Sequence, residues 1–235
     1  MTRKWTAVCL TLFPDLFPGP LGASLTGAAF DKGLWDLKTF NFRDFAEGKH
    51  RSVDDTPAGG GAGMVMRADV AAKTIDAGLE LVPDARRIYL SPRGRPFTQA
   101  LAHELSAAPG VLLVCGRFEG LDERVIEARE LEEVSIGDFV MTGGEMAAYC
   151  LLDAVVRLLP GVVGSPESLI EESFEQGLLE HPHYTRPREF EGRSIPDVLL
   201  DGNHEKIRAW RMAQSKEITA KRRPDLWKKW DKTKK

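Results

Sequence analysis

Residues 87–129 read RIYLSPRGRPFTQALAHELSAAPGVLLVCGRFEGLDERVIEAR. Arg87–Leu90 is a short strand-forming run closed by Ser91-Pro92, and Phe97–Ala107 has helical spacing. Gly110–Cys115 is a run of branched apolar residues with strand character, and Leu121–Arg129 turns helical again. Upstream, Thr6–Phe13 reads as a buried strand ended by Pro14, and Ala68–Leu81 as a helix. Short apolar runs alternating with helical stretches build βαβ units, so the first 160 residues predict an α/β domain with a mostly parallel sheet.

The clearest helix start is Thr142-Gly-Gly-Glu145 ahead of Met146–Leu159. Thr at the N-cap with Glu three residues on is the pattern of a capping box, in which each side chain satisfies the other's backbone amide. Pro160 stops that helix, because the residue before proline is pushed out of the α region. Gly161–Glu171 holds two Gly, a Pro and two Ser and reads as a linker. Beyond it, Asn203–Lys221 and Leu226–Lys235 read as basic helices, with Trp210, Met212 and Ile218 available for a small core. The expected organisation is a first domain over 1–160, a linker over 161–173 and a smaller helical domain over 174–235.

A chain of 235 residues with 43% hydrophobic content has enough apolar material for a real core, and its 22 Gly and 14 Pro exclude a fibrous or disordered class. No apolar run approaches the roughly 18 residues of a membrane span. Met1-Thr2-Arg3-Lys4-Trp5 runs straight into a strand-like stretch without a signal-peptide core, so the expected location is the cytoplasm. Cys9, Cys115 and Cys150 lack metal-like spacing and read as buried thiols. Charge is uneven: residues 1–200 carry 20 Lys and Arg against 30 Asp and Glu, and residues 201–235 carry 12 against 5. A basic end on an acidic body suits either a polyanion contact or a solvated helical tail.

Several segments have compositions that packing alone does not choose. Val53–Met64 contains four glycines in five residues (Gly59, Gly60, Gly61, Gly63), which suits a loop that closes over something or is simply flexible. It lacks the Gly-Lys-Ser/Thr ending of a P-loop. Tyr89–Gly94, Cys115–Arg124 and Ser135–Glu145 are glycine-containing turns at strand ends, where α/β sheets bind ligands. None matches G-x-G-x-x-G, which disfavours a conventional dinucleotide site. His181-Pro-His-Tyr-Thr-Arg-Pro187 combines cationic and aromatic groups that suit phosphate contact or base stacking. Zinc at His181 and His183 has no third ligand to support it.

Taken in order, Thr11–Pro14, Val53–Met66, Tyr89–Gly94, Gly116–Arg124, Ser135–Glu145, Asp153–Gly164, Pro182–Pro187 and Gly202–Arg211 resemble the bacterial tRNA (guanine-N1)-methyltransferases of the SPOUT superfamily. The likeness runs from about residue 6 to residue 227. It implies a deep trefoil knot in the α/β domain, a homodimer with the active site at the subunit interface, and methyl transfer from S-adenosylmethionine to N1 of the tRNA guanosine just 3′ of the anticodon, position 37. The matching cofactor positions are Tyr89, Leu90, Ser91, Pro92, Gly94, Gly116, Arg117, Glu119, Gly120, Ile136, Gly137, Asp138, Phe139, Val140, Met141, Gly143 and Gly144.

For catalysis the resemblance assigns a carboxylate general base at Glu172, where the family has aspartate, assisted by Arg157. Phe118 stands where many members have tyrosine. Asp54, Gly59, Gly60, His183, Tyr184, Arg186, Arg208 and Arg211 are the matching tRNA-side positions. The family also implies Mg2+ involvement, although the acidic residues here outline no dedicated site. Two rivals remain: an enzyme of the same superfamily acting on another RNA, and a non-catalytic RNA-binding protein on the same fold.

Overall fold

In the computed structural model, which describes residues 4–165 and 167–233, the chain divides into two units at Gly164/Ser165. The first contains β1 (Trp5–Thr11), α1 (Ser24–Asp31), β2 (Trp35–Asn41), a short pair β3 (Asp54–Asp55) and β4 (Val65–Met66), and α2 (Ala68–Leu81). It continues through β5 (Arg86–Pro96), α3 (Gln99–Ala107), β6 (Gly110–Cys115), α4 (Glu123–Ala128), β7 (Glu132–Ser135) and α5 (Glu145–Val156). Five strands form one sheet in the spatial order β2-β1-β6-β5-β7, and every neighbouring pair in it runs parallel. The α/β class and the mostly parallel sheet expected from the sequence are both present.

β6 explains why its sequence shows no polar alternation: every residue of it is buried. Successive strand side chains point to opposite faces. Val111, Leu113 and Cys115 therefore join Ala7 and Cys9 of β1 in a core completed by α1, α3 and α5. Leu112 and Val114 join Val8 and Leu10 in a second core against α2 and α4. A strand covered on both sides reads as a continuous hydrophobic run. Full burial of one such Val or Leu contributes about 1.5–3 kcal/mol.

Two expectations change here. Ser91-Pro92 does not close β5. Leu90 and Arg95 both align with Val134, so Ser91–Gly94 bulges out of the ladder and the strand resumes to Pro96. A bulge of this kind redirects the strand toward a site without ending the pairing. The edge strands β2 and β7 and the helix α1 have no strong local signal, because half-buried edges gain their strand character from the neighbour they pair with. Cys9 and Cys115 are buried, but Cys150 is exposed: Leu151 and Leu152 of α5 face the core, and Cys150 lies on the opposite side of that helix. Burial, with the nearby Glu145 charge, pushes the Cys9 thiol far up, so it stays protonated and inert.

The second unit comprises a single-turn helix α6 (Glu167–Ile170), an antiparallel pair β8 (Glu189–Phe190) and β9 (Arg193–Ser194), and two longer helices, α7 (His204–Arg222) and α8 (Pro224–Thr233). Pro166, within the segment expected as linker, lies outside the described residues. α7 starts at the Asn203 N-cap, whose side chain accepts from the Glu205 and Lys206 amides at 3.2 and 3.1 Å. Of the expected core of Trp210, Met212 and Ile218, the first and last are half-buried and the middle one is corrected. Met212 is 38% exposed, and the buried positions of α7 are Ser215 and Thr219. Thr219 Oγ1 donates to the Ser215 carbonyl and accepts from the Leu179 amide at 2.8 Å. A polar seam thus ties the 178–181 segment to α7. No described helix is long and apolar enough to cross a membrane.

Candidate active site

The carboxyl ends of β5, β6 and β7 open onto a cleft of about 350 Å³. Its walls are the Tyr89–Arg93 bulge, the Gly116–Leu121 turn and the Val134–Gly144 turn. Parallel sheets place ligands at this edge, where loops diverge and backbone amides are free to bond. Of the positions matched to a cofactor site, Tyr89, Leu90, Ser91, Pro92, Gly116, Arg117, Glu119, Gly120, Ile136, Gly137, Phe139, Val140, Met141, Gly143 and Gly144 line the cleft. Gly94 and Asp138 are outside the lining. Gly94 lies in the bulge against the backbone of Glu133 and Val134, and Asp138 is exposed. Arg93, Phe118, Thr142 and Ala147 also line it and were not among the positions matched to the cofactor.

The turns are locked to one another. The Gly144 amide donates to the Gly116 carbonyl at 3.0 Å. A Cβ on Gly144 would stand 2.7 Å from the Cys115 Cα, so no other residue fits that contact without moving backbone. The Tyr89 hydroxyl accepts from the Leu121 amide at 3.3 Å, and its burial pushes its pKa above the ordinary value, keeping it neutral. The glycine-rich loop joins the same edge. Met66 donates to the Gly120 carbonyl, and Glu119 to the Met64 carbonyl, both at 2.9 Å. Asp54 pairs with Met66 at the base of this loop, while Gly59 and Gly60 sit at its exposed tip with φ of 90° and 80°.

The capping box is absent. The N-cap of α5 is Gly144, with no side-chain cap bond, and Glu145 is the first helical residue. Its carboxylate turns inward and is 1% exposed. There it accepts from Thr11 Oγ1 at 2.7 Å and from Arg117 Nε at 3.3 Å, with Arg117 Nη2 at 2.8 Å. Arg117 also lies over the Phe13 ring, 4.5 Å from its centroid, and donates to the Thr142 carbonyl at 3.2 Å. Thr11, Phe13 and Glu145 are thus site-supporting residues that the sequence reading missed. The available signal was a carboxylate at the head of a largely apolar helix. Removing one partner of a buried ion pair typically costs about 3–5 kcal/mol.

A second pocket, of about 240 Å³, lies within the second unit. Glu171, Glu172, His181, Arg208 and Arg211 line it, beside Leu178 and Met212. Glu171 accepts from Arg211 Nη1 at 3.1 Å. His183 faces Glu180 at 2.9 Å, Tyr184 packs against Trp210 with ring centroids 6.2 Å apart, and Arg186 is exposed. Arg157 is at the C-cap of α5 in the first unit and is half-buried. Among the described residues no group of three or more His, Cys, Asp or Glu has metal-holding geometry.

His181 is only 8% exposed. Burial and then the Arg211 charge hold its pKa below the ordinary 6.5. Below that pH the unfolded chain takes up a proton that the folded one refuses, so this stability is complete above about pH 6.5 and shrinks as pH falls. The melting temperature of the full chain should therefore drop between pH 7.5 and pH 5.5, and His181→Gln should narrow the gap. An unchanged gap in the variant would remove the histidine from the account.

Comparison with known proteins bears on this arrangement. The sequence model of the tRNA (guanine-1)-methyltransferase TrmD family matches residues 6–229. A tRNA (guanine-N(1)-)-methyltransferase of Mesorhizobium japonicum is 63% identical over 226 residues, covering 96% of this chain and 97% of that protein. One from Rhodopseudomonas palustris strain TIE-1 is 62% identical over 223 residues, covering 95% and 90%. One from Brucella ovis is 60% identical over 225 residues, covering 95% and 92%. A match across nearly the whole length, on a chain whose strand-end turns enclose one cleft, places this chain in the tRNA (guanine-1)-methyltransferase TrmD family.

Proposed function

We propose that this chain is a tRNA (guanine-N1)-methyltransferase that moves the methyl group of S-adenosylmethionine to N1 of guanosine 37, just 3′ of the anticodon. The observation that carries the reading is the strand-end cleft, walled by fifteen of the seventeen positions matched to the cofactor. Its volume falls within the roughly 300–1,000 Å³ of small-molecule sites. Gly116, Gly120, Gly143 and Gly144 leave main chain open to close approach, which suits a ligand held by backbone groups. Bound there, S-adenosylmethionine supplies a methyl on a sulfonium leaving group. The knotted threading, the cytoplasmic setting and Mg2+ use come with the family reading, and no step below is routed through the metal.

Guanine N1 is a poor nucleophile while it holds its proton. Glu172 would take that proton, and Arg157 would stabilise the charge growing on O6. Glu172 lines the second pocket, and the resemblance puts the base at that position. Exposed Phe139 and Val140, at 55% and 84%, stand beside the cleft and suit burial against a second copy, as expected of a homodimer whose sites lie at the interface.

His183, Tyr184, Arg186, Arg208 and Arg211, with the basic face of α7 and α8, would hold the tRNA through phosphates and stacking, while the loop of Asp54, Gly59 and Gly60 closes on the target base. With about six phosphate contacts, affinity should fall by about a thousand-fold between 50 and 200 mM salt. A flat salt response in a filter-binding titration would remove the charge argument.

The deciding assay is methyl transfer from labelled S-adenosylmethionine to tRNA transcripts with guanosine or adenosine 3′ of the anticodon. Label at N1 of the first alone supports the reading. Label on neither, with cofactor bound, points to another RNA, and loss of cofactor binding points to a non-catalytic protein.

A further inference from the structure

Three charged side chains line the strand-end cleft: Arg93, Arg117 and Glu119. Both arginines are matched by carboxylates that stand outside the lining. Arg93 Nη2 reaches Glu123 at 2.9 Å and Glu133 at 3.2 Å. Arg117 meets Glu145, which is buried at the start of α5 and also accepts from Thr11. The cleft is therefore walled by guanidinium groups without presenting their net positive charge.

We propose that Glu145 is a positioning and charge-balancing residue: it fixes Arg117 between the β1, β6 and β7 loop ends, and it cancels the guanidinium charge so that the cleft admits a cationic ligand. The inference rests on reading the cleft as an S-adenosylmethionine site. That ligand has a sulfonium beside a zwitterionic amino acid and so carries a net positive charge. Its demethylated product, S-adenosylhomocysteine, has a neutral thioether and the same remaining groups. The two differ at one methyl and one charge, which separates electrostatics from shape.

The geometry supports both halves of the role. Arg117 cannot swing freely: its Nε and Nη2 face Glu145, its Nη1 donates to Thr142, and its plane covers Phe13. The Phe13 amide in turn donates to Thr11 Oγ1 at 3.0 Å, so one chain of bonds runs from the end of β1 to the start of α5. Placing a carboxylate in a core costs desolvation that an apolar side chain would avoid, so its presence there calls for a role beyond packing.

Glu145→Gln keeps the shape and hydrogen-bonding reach and removes the charge. Titration calorimetry of the full chain with each ligand should show S-adenosylmethionine weakened about ten-fold more than S-adenosylhomocysteine, as expected for an uncompensated charge in a partly screened cleft. Arg117→Gln removes the cation and keeps the carboxylate, so the preference should shift toward the sulfonium. A purely structural role would weaken both ligands alike. Equal losses in Glu145→Gln, or an unchanged ligand ratio in Arg117→Gln, overturn the proposal. The second variant decides the matter if the first does not fold. Failure of the unaltered chain to bind either ligand would instead overturn the S-adenosylmethionine reading itself.

Discussion

Glu172→Gln should lower the single-turnover rate of methyl transfer to tRNA by about a thousand-fold, within the 10²–10⁴ range of a lost general base. The amide keeps the volume and most of the hydrogen-bonding capacity of the carboxylate but cannot take the N1 proton. Cofactor affinity should stay within about two-fold, since Glu172 is not among the residues that line the cleft proposed for the cofactor. The control is its neighbour. Glu171 is exposed and bonded to Arg211 at 3.1 Å, so Glu171→Gln should keep turnover within a few-fold of normal.

Glu172→Asp should retain most of the rate, because the resemblance puts aspartate at this position in other members, with a shorter arm and one rotamer fewer to fix. Near-normal turnover in Glu172→Gln, with loss in Glu171→Gln, would move the base to Glu171.

Gly144→Ala should abolish measurable cofactor binding, a loss of about a hundred-fold or more, and lower the melting temperature by several degrees. The added methyl would stand 2.7 Å from the Cys115 Cα and 3.1 Å from the Gly116 amide nitrogen, both backbone atoms with no rotamer to yield. Relief requires the turn after β7 to part from the turn after β6, breaking the Gly144–Gly116 hydrogen bond that joins the two walls. Overpacking of this kind costs about 1–3 kcal/mol in stability, or a few degrees in a unit of this size.

The contrast is Gly60→Ala at the exposed loop tip. Nothing lies within 4 Å of its would-be Cβ, and only the φ of 80° opposes the change. It should leave cofactor affinity unaltered and affect tRNA alone. Equal cofactor affinity in the Gly144 variant and the unaltered chain, measured by calorimetry, would show that the two turns are not the walls of the binding site.

The sequence by itself determined the α/β class, the limits of α2 and β6, and the glycine-containing turns that wall the strand-end cleft. Those features depend on local pattern: a run such as Val111–Val114 has to be buried wherever it goes, and glycine turns after strands have few uses. The family likeness was legible for the same reason, since its motifs are those turns taken in order. Tertiary contact decided what local pattern could not. Thr142-Gly-Gly-Glu145 satisfies the capping rule on its own, but Arg117 and Thr11, 28 and 134 residues away from Glu145, offer its carboxylate stronger partners. Ser91-Pro92 looks like a strand end until Val134 supplies a second register for β5 to resume against. Met212 looks like core until Ser215 and Thr219 take the buried face of α7 through bonds to Leu179 and to that helix's own backbone. In each case a contact distant along the chain outweighed a local preference worth about 1 kcal/mol, and such contacts exist only once the chain has folded.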